Sequence, residues 1–169
     1  MKIQVATIAT LVLAVSACST GRADPENEFE ASFKVSDRAT PADVGLPAYP
    51  GAKSHREADD SSSAANLGLA TPMFGFKVVA VKLESADRPE RVAAFYRRAL
   101  SKYGKVLECS EATQGKAGPQ GELDCDTDES GQDGIVYKVG TEQNQRIVAI
   151  KPHGKGTQFD LVYVNIRGE

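Results

Sequence analysis

Residues 74–104 read FGFKVVAVKLESADRPERVAAFYRRALSKYG, and two periodicities meet in them. Phe74 to Leu83 is rich in β-branched and aromatic residues, with Lys77 and Lys82 interrupting the apolar run. That composition predicts a central strand. Ser85 to Glu90 then carries a helix start signal: Asp87 suits an N-cap, Pro89 the first turn, and Glu90 completes a capping-box-like pair. Val92, Phe95, Tyr96, Ala99, Leu100 and Tyr103 repeat at three and four, one apolar face of a helix over about residues 88–103. Gly104 is placed to end it.

Downstream the pattern turns to strands. They are expected at 106–109, 122–126, 135–139, 146–151 and 158–167, with turns at 140–145 and 152–156. In the last of these, Leu161 and Tyr163 face one way and Val162, Val164 and Ile166 the other, as in a strand covered on both sides or closed by a partner. Strands, one helix, then a run of strands argue for an α+β fold: a mostly antiparallel sheet with one principal amphipathic helix packed on one face. Upstream, Leu46 to Ala52 contains two prolines and a glycine, which set an extended entry and a turn. Tyr49 is expected over the sheet edge, and a polar loop is expected from His55 to Asn66.

The whole chain has 169 residues and a net charge of −3, which does not suggest a nucleic-acid binder. Its three Cys and two His exclude zinc ribbons, most multi-His metal sites and dense disulfide scaffolds. Met1-Lys2 is followed by an uncharged apolar run from Ile3 to Ala17. That run is shorter than the roughly 20 residues a membrane-spanning helix needs and fits a secretory signal peptide. From Ser19 to about Gly45 apolar residues are sparse, so 18–45 reads as a tether, except that the spacing of Phe29, Phe33 and Val35 allows a short docked strand or turn of helix. The expected organisation is therefore a signal at 1–17, a tether at 18–45 and one domain at 46–169.

Val15-Ser16-Ala17-Cys18 resembles the lipobox of bacterial lipoproteins. The resemblance implies cleavage before Cys18, a diacylglycerol on its sulfur and an acyl chain such as palmitate on its amine. Several acyl chains anchor stably where one is marginal. Ser19, in place of Asp, implies by the same resemblance sorting to the outer membrane, facing the periplasm. The other two cysteines, Cys109 and Cys125, then form an even pair in an oxidising compartment. A disulfide is the default, with two separate buried thiols as the alternative. Tyr49 to Ala52 and Asp87 to Tyr96 together are similar to a group of uncharacterised secreted bacterial proteins with a YPGA turn and a D-x-P-E-x-V-x-x-F-Y helix. That similarity implies export and a fold, and no activity.

Three places carry candidate chemistry. Asp124, Asp126 and Asp128 alternate in an acidic stretch, and hard oxygen ligands at that spacing suit Ca²⁺. The positions an EF-hand requires as Gly and Glu are instead Glu129 and Ile135, so this is no EF-hand, and a solvated acidic loop is the plainer reading. Arg91, Arg98 and Lys102 form a basic flank of the helix, suited to anionic lipid, cell-wall polymer or an acidic partner surface, or to the solvated edge of an amphipathic helix. His55 and His153 are the only imidazoles, and no catalytic motif surrounds them. The leading expectation is a non-enzymatic, lipid-anchored envelope domain binding a partner protein or the cell wall, with no cofactor beyond the lipid. A small-molecule or cation-binding lipoprotein is the alternative, and a hydrolase using His55 or His153 comes third.

Overall fold

The computed structural model describes residues 31–56, 62–110, 123–125 and 134–168. The strands are β1 (Ser32–Ser36), β2 (Lys53–Ser54), β3 (Ala64–Ala70), β4 (Phe74–Ser85), β5 (Leu107–Cys109), β6 (Ile135–Thr141), β7 (Asn144–His153) and β8 (Gly156–Gly168). They form one sheet in the order β1-β3-β4-β8-β7-β6-β5, with β2 pairing the end of β4, and every pairing is antiparallel. The helices are α1 (Pro41–Val44) and α2 (Pro89–Leu100), and a 3-10 turn (Ser101–Tyr103) extends α2.

The topology explains which face the helix covers. β4 lies third in the sheet, while β5 lies at the opposite edge. The chain between them must cross β8, β7 and β6, and α2 makes that crossing against those strands. Its apolar stripe, Val92, Ala93, Tyr96 and Leu100, is buried against Tyr137, Val139, Val148, Ile150, Phe159 and Leu161. Register sets these partners: Leu83 lies opposite Phe159, and Val148 opposite Leu161.

The N-terminal part of the structure was expected only as a short docked strand or turn of helix near Phe33 and Val35, and β1 is that strand. The domain boundary anticipated at Leu46 moves upstream, because the whole of β1 pairs with β3, from Asn66 to Ala70, and Val44 is fully buried in the core. Asp43 shapes the start of α1 by accepting hydrogen bonds from the Thr40 N–H (2.8 Å) and hydroxyl (2.7 Å). These bonds hold its carboxyl below the usual carboxylate range. Arg146 then ties this segment to the sheet. Its Nε donates to the Val44 carbonyl at 2.9 Å, and its guanidinium lies 3.8 Å from the Tyr103 ring centre and 4.6 Å from that of Tyr163. The Tyr103 hydroxyl donates to the Gly45 carbonyl. Gly45 sits at φ 81°, the left-handed conformation that favours glycine at a helix C-terminus.

Three further expectations change. Residues 64–70, of which 64–66 fall in the expected polar loop, form β3. Asp87 is not the N-cap of α2: Arg88 occupies that position with no side-chain cap. Asp87 instead accepts from the Tyr49 hydroxyl (2.7 Å) and Arg91 (3.0 Å), while its carbonyl accepts from Thr157 (2.6 Å). It therefore fastens the turn before the helix to the core. Finally, residues 123–125 form no strand, although Cys125 is bonded to Cys109.

Candidate functional site: the open sheet face and a His-Glu-His cluster

Period-2 alternation gives the sheet a second face, formed by the side chains between the core positions. Cross-strand register aligns them: Phe33 with Leu69, Leu69 with Phe76, Phe76 with Ile166, and Leu67 with Val78 and then Val164. Toward β1, β3 and the Phe74 end of β4 this face is apolar and partly open, and further along it carries Lys82, Glu84 and Asp160. Phe33 is 69% exposed, Val35 60%, Phe74 43% and Ile166 41%, and Met73 in the β3–β4 turn is 82% exposed. The alternating apolar residues of β8 thus do face both ways, with Leu161 buried under the helix side and Ile166 on the exposed side.

The same face is covered at its other edge. Cys109 and Cys125 are joined by a disulfide, with Cα atoms 5.4 Å apart. The pair packs on Val136, Ile147 and Ala149. Beside it Lys138 is buried, and its ammonium donates to the Asp124 carbonyl at 2.9 Å. Asp126 and Asp128 lie outside the described residues, as does Cys18.

The basic flank of α2 is solvent-exposed as expected. Arg91 pairs with Asp87 at 3.0 Å, Lys102 sits 5.1 Å from the Tyr103 ring centre, and neighbouring Arg97 lies 3.9 Å from Glu108. Arg98 lines a wide groove of about 550 Å³ between α2 and β6, floored by Ala93, Ala94, Ile135 and Tyr137.

The histidines, far apart in sequence, come together. His55 follows β2 and donates its N–H to the Lys82 carbonyl, which extends the β2–β4 pairing by one residue. His153 ends β7, opposite Gly156 in the hairpin to β8. The two rings are 5.1 Å apart, edge to face. Glu84, on β4, completes the group: its Oε2 is 2.8 Å from His55 Nδ1. The His55 side chain is 13% exposed and that of Glu84 42%. One ligand atom from each of the three residues lies within 4.8 Å of the others. Glu84 was missed at the sequence level, where it looked like one more polar residue at a strand end. Its alternation phase puts it on the open face, but only the pairing of β2 with β4 shows that His55 arrives beside it.

Among the described residues no helix is long and apolar enough to cross a membrane. No protein-family model, curated protein or solved structure matched this chain.

Proposed function

We propose that this protein is a lipid-anchored domain of the bacterial cell envelope that acts by docking to another envelope protein, without catalysis. Acyl chains on Cys18 hold it at the outer membrane, facing the periplasm. The observation that carries the reading is the open apolar face of β1, β3, β4 and β8. A run of cross-strand apolar pairs left in water is a feature of interaction surfaces. It suits a protein partner better than cell-wall glycan, whose hydroxyls and amides would lose hydrogen bonds against Val78, Val164 and Phe76. The basic flank of α2 is the weaker docking candidate, because Arg91 and Lys102 already have partners within the chain.

A photoreactive residue at Leu67, on the open face, tests this against one at Ala94, on the exposed side of α2. In the native envelope, position 67 should give one saturable protein adduct that disappears when Val164→Lys is added. Position 94 should not. Equal adducts from both positions, or lipid adducts alone from position 67, would overturn the docking reading. The anchor is tested separately: Cys18→Ser should shift the protein out of the membrane fraction, and an unchanged fraction would sink the lipid assignment.

A further inference from the structure

We infer that His55, Glu84 and His153 form a binding site for a divalent transition-metal ion, with Zn²⁺ the best chemical fit. Two imidazoles and one carboxylate are a borderline donor set that suits zinc and its neighbours. Ca²⁺ and Mg²⁺ prefer oxygen ligands alone. The chain has two histidines in all, 98 positions apart, and the fold delivers both to one carboxylate.

The geometry is near closure. A tetrahedral ion with bonds of about 2.1 Å holds its ligand atoms roughly 3.4 Å apart. His55 Nδ1 and Glu84 Oε2 stand at 2.8 Å, and the widest separation in the group is within 4.8 Å. A movement on the order of an ångström therefore completes the set. That movement falls to His153, which is exposed at the end of a hairpin turning through Gly154 at φ 58°. His55 and Glu84 are held more firmly, by the backbone pairing of β2 and its extension along β4. Three protein ligands leave a fourth position for water, as in open zinc sites. The adjoining hollow, about 340 Å³, is lined by Lys53 and Lys155. Their ammonium groups oppose a cation and favour an anionic fourth ligand, so the site is of moderate affinity, with Kd on the order of micromolar.

The test is a calorimetric titration of the untagged, chelator-stripped protein with Zn²⁺, and with Ca²⁺ in parallel. One equivalent of Zn²⁺ should bind, and Ca²⁺ should not compete. His153→Ala and Glu84→Gln should each weaken Zn²⁺ at least tenfold while melting like the parent in chelator. Should His153→Ala fail to fold, His153→Gln serves in its place. Co²⁺ should give the visible absorption of a low-coordinate site in the parent and lose it in the His153 variant. Absence of Zn²⁺ binding up to millimolar concentration, or binding that survives both substitutions undiminished, would overturn the site.

Discussion

The two faces of this sheet use the same strands and alternate residues, yet they are finished differently. Under α2 every apolar position of β6, β7 and β8 meets another, and Tyr96, Leu100, Val139, Val148, Phe159 and Leu161 are nearly or wholly excluded from water. On the reverse face an apolar end over β1, β3, β4 and β8 gives way to Lys82, Glu84, Gln158 and Asp160, and Phe33, Val35, Phe74 and Ile166 remain exposed. The side-chain pattern and the α2 crossover therefore agree on which face becomes the core.

Paired truncations should break this comparison most sharply. Leu161→Ala, on the covered face, should cost about 3 kcal/mol, combining lost burial with a residual cavity. Ile166→Ala, five residues along the same strand, should cost about 1 kcal/mol or less, because its side chain already meets water. Chemical denaturation of the two variants measures both. Equal losses would mean that the reverse face is buried in solution, by a second copy or by another part of the chain.

The disulfide sharpens the comparison at the one place where the reverse face is sealed. Cys109 and Cys125 are 16 positions apart, and opening such a loop should cost about 3 kcal/mol in the chain-entropy treatment. The double Ser variant and the reduced parent should lose the same amount. Lys138 gives a second readout, since its ammonium donates to the carbonyl of Asp124, next to Cys125. Loosening of the clamp should raise hydrogen exchange at Val136 and Lys138 while leaving Val81 on β4 protected.

How much of this was legible in the sequence follows from the range of the interactions. α2 and β4 announce themselves locally, through a 3.6-residue apolar stripe and a β-branched run, and both appear close to the expected bounds. The cysteine pair was legible by parity once Cys18 was set aside. β3 was not: Ala64 to Ala70 reads AANLGLA, poor in strand formers, and its state comes from lying between β1 and β4. Val44 was misplaced with the tether because a four-residue helix has no period to detect. Its burial depends on Arg146, which is 102 positions away. Asp87 carried a sound local cap signal that lost to tertiary partners, Tyr49 and Thr157. The His55–Glu84–His153 group is non-local altogether, assembled from the residue after β2 and the ends of β4 and β7.

The smallest effect lies within the covered face and separates two tyrosines packed ring to ring. The Tyr49 hydroxyl donates to Asp87 at 2.7 Å, whereas the Tyr96 hydroxyl lies near the Tyr49 backbone without a well-formed hydrogen bond. Tyr49→Phe removes a bond to a carboxylate and should cost about 1.5 kcal/mol. Tyr96→Phe removes a buried polar atom that is poorly satisfied, so stability at neutral pH should change by no more than about 0.5 kcal/mol. Alkali gives the Tyr96 variant its own signature. Burial raises the Tyr96 phenol above its ordinary value, so the folded state resists losing that proton more than the unfolded state does. The stability this represents is intact below about pH 10 and is lost progressively as pH rises from there toward the folded value. Tyr96→Phe should therefore flatten the alkaline fall in denaturation midpoint without abolishing it, since burial also raises Tyr49 and Tyr137. An unchanged alkaline slope would mean that water reaches Tyr96, and that the covered face is less closed beneath α2 than its packing implies.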